Sequence, residues 1–378
     1  VNTFLSDAQL ALQEQFLKFV AEQISPIARE LDSEKISAKE ALSRLSKGGY
    51  LGMTVPKEYG GQGHSAVELV LFVEALAAAS AGLGLALASH YSVIELIVKY
   101  GTETQKSRYL SHLASGELIG AQAFGEEMAG SDFKAVQTTA RLENSDVVLT
   151  GEKTWVVNGD LAGLFAVLAK DGENLGIYLV DSAPSATVVV GANKAKLGLR
   201  SAGTCDLTFN NHKISAENYL GVRVSGAEVE KQVDAVFNLS KTIVAAAAVG
   251  IADETLKFSA ERALMREQFG HSISKFQGIQ WKLADHSVET EAARLLTYRA
   301  AWSHADEPGE FRKYAAMAKM FAAKVARFHS GEAVQIFGML GASTELPVER
   351  LFRDGKLTEV FEGTSEIQKV ILKEELGV

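Results

Sequence analysis

The spacing of apolar residues changes twice along the chain. From Ser6 onward Leu12, Phe16, Phe19, Val20 and Ile24 recur at helical intervals, and Ser6 with Gln9 forms a capping-box pattern at the start of that run. A glycine-rich stretch, Tyr59-Gly60-Gly61-Gln62-Gly63, interrupts the helical register, and two strongly apolar helices are predicted after it, about residues 67–79 and 83–100. Between about residues 120 and 221 the period shortens to that of strands. Runs at 147–150, 154–157, 164–168, 176–180, 187–190 and 206–209 are separated by Gly, Asn and Asp clusters, which predicts an antiparallel sheet or barrel. Helical spacing then returns in an Ala-rich run over 233–265 and in stretches near 275–304, 311–338 and 365–376.

This order, helical then β then helical, is that of an α+β multidomain chain. We expect an N-terminal all-helical domain over residues 1–117, a middle antiparallel β-barrel or sheet domain over 118–225, and a C-terminal four-helix-bundle-like domain over 226–378. A doubly wound dinucleotide fold would alternate strands with helices. Gly82-Leu83-Gly84 lacks a third glycine and sits among helix formers, so it reads as helix packing, and no Walker loop is present. The chain carries 38 Lys+Arg against 47 Asp+Glu, a net charge of -9, which argues against a nucleic-acid partner. The single cysteine, Cys205, excludes an intrachain disulfide and a Cys-rich zinc site and points to a reducing compartment. The 8 histidines show no metal-binding spacing, so no metal is expected. No uninterrupted apolar run is expected to be long enough to span a bilayer, and no signal-peptide pattern opens the chain, so no membrane partner is expected.

Specific motifs appear in succession: Val55-Pro56-Lys57-Glu58-Tyr59-Gly60-Gly61, Tyr100-Gly101-Thr102-Glu103-Thr104-Gln105-Lys106, Ala129-Gly130-Ser131-Asp132, and Gly151-Glu152-Lys153-Thr154-Trp155. They continue with Arg266-Glu267-Gln268-Phe269-Gly270, Gln335-Ile336-Phe337-Gly338 and Phe361-Glu362-Gly363-Thr364-Ser365-Glu366-Ile367-Gln368. Each alone is weak. Together, in this order, they resemble the FAD-dependent acyl-CoA dehydrogenase family nearly end to end. The resemblance implies removal of two hydrogens from an acyl-CoA thioester: a carboxylate takes the α-proton and the β-hydrogen leaves as hydride to flavin N5, because no protein side chain accepts a hydride. So weak a carbon acid demands a base whose pKa is raised by burial, and donors that polarise the thioester carbonyl. The resemblance also implies electron-transferring flavoprotein as acceptor, a homotetramer built as a dimer of dimers, and a cytoplasmic location in a bacterium or an organellar matrix in a eukaryote.

Glu362 matches the base of the largest family branch; the plainer alternative is a turn glutamate. Other branches carry the base on the Ala-rich helix, where this chain has Ser240. The resemblance sets Trp155 against the isoalloxazine ring, with Phe124, Gly125 and Val157 at further cofactor positions. It sets Arg266 and Phe269 against the FAD of a neighbouring subunit, although a surface arginine at a helix end is the plainer reading. Gln335, Gly338, Thr364 and Glu366 match positions around the adenosine half of FAD. Ser131 matches a cofactor-side position near the CoA moiety, and Gly363 lies where backbone approaches the thioester.

Several positions depart from the family pattern. Gly125 and Val157 stand where relatives have flavin-bonding hydroxyls, so FAD is expected to be held less tightly, and Gly125 is expected to hold a backbone angle that threonine resists. Asn238-Leu239-Ser240-Lys241 replaces Asp-x-x-Arg, which makes Asn238 and Lys241 substrate-side candidates with a changed hydrogen-bonding fork. Met339 follows Gly338 where relatives have a second glycine. Leu83 stands where the glutaryl branch carries an arginine, which disfavours a dicarboxylic substrate. Tyr91 and Glu95, next to His90 on the predicted 83–100 helix, are candidates for a polar handle on an unusual acyl chain. The bland alternative is a Glu95–Lys99 pair at i, i+4, worth about 0.2–0.5 kcal/mol. Three rival functions stay open: a dehydrogenase of a carrier-protein-bound acyl thioester, an acyl-CoA oxidase, and a flavin-deficient, non-catalytic scaffold.

Overall fold

The computed structural model describes residues 4–181 and 185–378. Its first helix, α1 (Asp7–Phe19), begins at the Ser6–Gln9 capping box, with both reciprocal bonds formed. Helices α2 (Ala28–Asp32), α3 (Ala38–Lys47), α4 (Ala66–Tyr100) and α5 (Glu103–Ser115) complete the N-terminal part. The two predicted helices at 67–79 and 83–100 are the arms of α4, joined across a break at Ser80 (φ -155, ψ 95). Groups from elsewhere in the chain hold that break. Arg350 donates to the Ala79 carbonyl at 3.0 Å, and the Ser80 and Ser201 hydroxyls bond at 2.7 Å. A Cβ on Gly82 would lie 2.3 Å from Ser201 Oγ, so this glycine serves packing.

Among the described residues seven strands follow: β1 (Gly120–Ala123), β2 (Thr139–Glu143), β3 (Asp146–Val157), β4 (Leu164–Asp171), β5 (Asn174–Val180), β6 (Val188–Val190) and β7 (Thr204–Ser215). They form one sheet in the order β1-β4-β2-β3-β7-β6, with β5 on β4. The sheet is mixed, not purely antiparallel, because β1 runs parallel to β4 with Gly120 opposite Leu164. Neither β1 nor β2 carries a β-branched run, and hydrophobic spacing did not mark them. The runs at 147–150 and 154–157 fuse into β3, whose register against β7 shifts between Leu149 and Gly151 and again between Lys153 and Val156. The second irregularity puts Trp155 at φ +57, a conformation a bulky residue adopts only where its surroundings impose it. Cys205 is buried on β7, and burial pushes its thiol up to about 12, which makes it a poor nucleophile.

The C-terminal part holds α6 (Gly226–Met265), the two-residue strands β8 (Glu267–Gln268) and β9 (His271–Ser272), then α7 (Gln277–Asp306), α8 (Phe311–Phe337), α9 (Val348–Thr358) and α10 (Ser365–Glu375). Of these, α9 was not anticipated. The architecture is the expected α+β type, with helical parts on either side of the sheet in chain order.

One expectation needs correction. Both α4 and α6 are long and apolar enough to cross a bilayer by length and composition, yet 89% of the most apolar stretch of each is buried inside the protein. A helix enclosed on all sides reads like a membrane span because neither has a polar face. The two helices pack against each other at backbone distance: a Cβ on Gly250 of α6 would fall 2.3 Å from the Glu74 carbonyl oxygen, and one on Gly84 of α4 would fall 3.1 Å from the Ala247 methyl group. Gly250→Ala should therefore force the pair apart and lower stability by about 1–3 kcal/mol, read as a drop in the urea or thermal midpoint. An unchanged midpoint would show that this contact yields without cost.

Candidate active site

A cavity of about 670 Å³ opens between the sheet, α6 and the segment linking α9 to α10. Trp155 and Val157 face it from β3, with Phe124, Gly125 and Ser131 from the loop after β1. Lys241 comes from α6, and Glu362, Gly363 and Thr364 from the α9–α10 link. Aromatic contacts bind the walls together: Phe237 of α6 meets Phe124 edge-on, ring centres 6.0 Å apart, and Phe133 at 6.3 Å.

Glu362 has φ +55 and Gly363 φ +85, two successive left-handed residues in a short link between helices. The Glu362 carboxyl is enclosed although the residue as a whole is only partly buried. Ser240 Oγ donates to Glu362 Oε2 at 2.6 Å. Burial raises the Glu362 pKa, and the Ser240 bond with the nearby Lys319 and Lys241 ammonium groups only partly offsets this. A carboxylate so placed accepts a proton more readily than one in water. Ser240, the α6 position weighed above as an alternative site for the base, thus hydrogen-bonds a carboxyl supplied by a different segment.

Lys241 is buried, which brings its pKa down to about 8, and Asn238 Oδ1 accepts from its Nζ at 3.2 Å. Asn238 itself lies off the cavity wall and acts on Lys241. Arg312 and Asp234 also face the cavity; Arg312 is held by Glu374 at 2.5 Å and Glu375 at 2.7 Å.

A second buried charge pair fixes the sheet side. Lys153, wholly buried, bonds Glu126 at 2.7 Å and the Phe124 carbonyl at 3.1 Å. Burial works against the ionised form of Glu126, but Lys153 and the Thr138 and Gln137 donors hold it below the usual carboxylate range. Burial brings Lys153 down to about 8. With Thr154 N donating to the Gly125 carbonyl at 3.0 Å, these bonds hold the 124–126 segment in place along the cavity wall. Of the two, Lys153 lies in a motif of the sequence, two residues before the tryptophan, and Glu126 lies in none.

Gly125 is not in the left-handed region, and a Cβ there would make ordinary contact with the Thr154 carbonyl at 3.5 Å. The expected resistance to threonine is thus absent. Next to Val157, Ser89 Oγ of α4 donates to the Val157 carbonyl at 3.1 Å and accepts from Gln122 N at 3.0 Å. Ser89 and Gln122 both face the cavity and were not anticipated; the Gln122 side-chain oxygen is buried without a partner. Asp206 accepts from Thr154 Oγ1 at 2.6 Å and Trp155 N at 3.3 Å, and Lys194 sits 5.0 Å from the Trp155 ring centre.

Tyr91 and Glu95 do not belong to this cavity. Tyr91 is fully buried, donating to the Tyr50 carbonyl at 2.8 Å and accepting from Met53 N at 3.2 Å. Glu95 pairs with Lys99 at 2.6 Å and with His304 Nε2 at 2.8 Å, tying α4 to α7. The helical pair was the better expectation, and His304 joins it as a second partner of the buried Glu95 carboxyl. Leu83 is buried in the α4 core. Thr364 caps α10, accepting from Ile367 N at 3.4 Å, and Glu366 is exposed in its first turn. Arg266, Phe269, Gln335 and Gly338 lie elsewhere: at 1.5 Å per residue, Arg266 is roughly 37 Å along α6 from Lys241. Phe269 is 90% exposed and Met339 87%. Gly338 adopts φ 64 and ψ -142, a conformation open essentially to glycine alone.

Three family models match the chain in order: the acyl-CoA dehydrogenase N-terminal domain over residues 6–117, the middle domain over 121–212 and the C-terminal domain over 231–377. The short-chain specific acyl-CoA dehydrogenase of Clostridium acetobutylicum is 36% identical, the match covering 97% of both chains. Butyryl-CoA dehydrogenase from Megasphaera elsdenii superposes with a TM-score of 0.93 at 33% identity, covering 99% of each chain. A chain from a structural study of the electron transferring flavoprotein of Acidaminococcus fermentans and flavin-based electron bifurcation gives 0.94 at 32% identity over 98% of each. With its helical–β–helical order and its enclosed carboxyl beside a tryptophan-lined cavity, the chain belongs to the acyl-CoA dehydrogenase family.

Proposed function

We propose that this protein is an FAD-dependent dehydrogenase of a short acyl-CoA thioester, with Glu362 removing the α-proton. The observation that carries the reading is the enclosed Glu362 carboxyl, its pKa raised by burial, on the wall of a cavity shared with Trp155. FAD is the cofactor, and the wall suits it: apolar surface from Phe124, Trp155 and Val157 adjoins a Gln122 carbonyl that lacks the donor a flavin pyrimidine N–H can supply. When bound, FAD accepts the β-hydrogen as hydride. Phe124, Gly125, Trp155 and Val157 would hold its ring; Gln335, Gly338, Thr364 and Glu366 would serve the adenosine half.

The chain's own residues have distinct tasks. Ser240 aims Glu362, Gly363 lets backbone approach the thioester, and Ser131 with Lys241 borders the CoA arm. A short acyl chain is supported by the names of the relatives and by α4, which contributes Ser89 to the cavity while Tyr91 and Glu95 are committed to other partners. Electron-transferring flavoprotein is the acceptor this reading favours. A dimer of dimers is supported by Arg266 and Phe269, too far to reach their own chain's cavity, and by exposed Leu264, Met265, Phe269 and Met339.

Glu362→Gln should bind FAD and acyl-CoA but slow flavin bleaching by at least about 10²–10⁴-fold; near-normal bleaching would remove Glu362 from the role. Because the base must be ionised, wild-type flavin reduction should fall as pH drops through a value above the ordinary glutamate range of about 4.3. Val157→Thr, and equally Gly125→Thr, should tighten FAD by roughly 1 kcal/mol, about five- to tenfold in dissociation constant. No change in affinity or reduction potential would mean that another donor already serves the flavin. Arg266→Ala should weaken FAD retention, and gel filtration should show an assembly several times the 40.6 kDa chain mass; a monomer retaining FAD normally would refute the shared site.

A further inference from the structure

The link bearing Glu362 is held from behind by a lysine that the cavity never touches. Lys319 of α8 is wholly buried, and among the described residues no carboxylate lies within ion-pair distance of its ammonium group. Its Nζ donates instead to two backbone carbonyls, that of Glu359 at 3.2 Å and that of Gly363. These lie on either side of Glu362. The Gly363 oxygen also accepts from Gln368 Nε2 at 2.9 Å, and Gln368 is itself buried. Glu359 is anchored in turn by Arg327 at 2.9 Å and Lys356 at 2.7 Å. A left-handed glutamate followed by a left-handed glycine persists only where its surroundings impose that backbone, and the two carbonyl anchors do so.

A buried ammonium group directed at neutral carbonyls loses hydration that no counter-ion replaces at contact distance. The acids that influence Lys319 most are Glu362, then Glu359 and Glu366, with Lys241 as the neighbouring cation. Around Glu362 itself stand Ser240 and Lys241 from α6 and Lys319 from α8, while Asp234 and Arg312 act on Lys241. Lys241 faces the cavity and meets whatever fills it. Lys319 does not line the cavity, so a ligand there does not touch it, although burial brings its pKa down to about 8.

We propose that Lys319 is a positioning residue for Glu362: it clamps the left-handed turn that presents the carboxyl to the cavity, and its charge favours the ionised base. This rests on the reading of Glu362 as base, so FAD-loaded Glu362→Gln is measured alongside. In FAD-loaded Lys319→Met, assembly and flavin absorbance should persist while flavin reduction by butyryl-CoA slows roughly 10–100-fold. Removing the positive charge raises the Glu362 pKa, so the acid limb of the reduction rate should move to higher pH by about one unit. Lys319→Arg should return the limb toward wild type while the rate stays lowered. Gln368→Met, which removes a turn bond and no charge, should slow reduction and leave the limb in place. A purely structural lysine would not separate these two effects. If Lys319→Met does not fold, the Arg and Gln368 variants still decide: a limb that moves in Gln368→Met, or an unaltered rate in both, overturns the proposal. An inactive Glu362→Gln beside a Lys319→Met of wild-type rate and limb overturns only the role of Lys319. An active Glu362→Gln overturns the reading of the base itself.

Discussion

Enclosing the Glu362 carboxyl removes the water that would stabilise its charge, and the replacement comes from widely separated parts of the chain. Ser240 supplies a hydrogen bond from α6, while Lys241 and Lys319 supply positive potential from α6 and α8. These groups converge only if the helices keep their relative axial positions. A shift of one helical residue would turn Ser240 away and put Leu239 or Lys241 in its place. The packing of α6 against α4 at Gly250 and Gly84 therefore bears on the site as well as on stability, since it fixes where along the bundle Ser240 falls.

The same arrangement recurs on the sheet side. Lys153 and Glu126 form a buried ion pair whose remaining valences go to the Phe124 carbonyl and to the Gln137 and Thr138 amides. A pair so satisfied adds little net stability over apolar packing, yet removing one partner would strand the other. What it secures is the course of residues 124–126 beside β3. The register shift between Lys153 and Val156 then sets Trp155 at positive φ, with Asp206 holding its amide. Both walls of the cavity thus depend on buried charges bonded to backbone.

The departures at Gly125 and Val157 gain meaning in this setting. Neither removes structure: Gly125 has ordinary backbone geometry, and the Val157 carbonyl is bonded by Ser89. The polar groups near them, Ser89 and Gln122, come from α4 and β1. Polarity at this part of the wall comes from elements that meet only after folding.

Much was legible from residue order alone. Capping boxes, helical spacing and the β-type runs are local signals, so the three-part layout and most long elements could be read, as could Glu362, Trp155, Ser131 and Lys241 as cavity residues through motif resemblance. Strands β1 and β2 escaped because Gly120–Ala123 and Thr139–Glu143 take their pairing from β4 and β3 and have little strand propensity of their own. The apolar character of α4 and α6 misled because hydropathy records how apolar a segment is and not whether lipid or protein surrounds it. Tyr91 and Glu95 were misplaced for a related reason: a helix has several faces, and only the partners Tyr50, Met53 and His304 decide which one they share. Lys153 and Lys319 look like ordinary charged residues in sequence. Their burial, and the carbonyls they hold, follow from contacts between segments tens of residues apart, which chain order does not encode locally and tertiary packing alone decides.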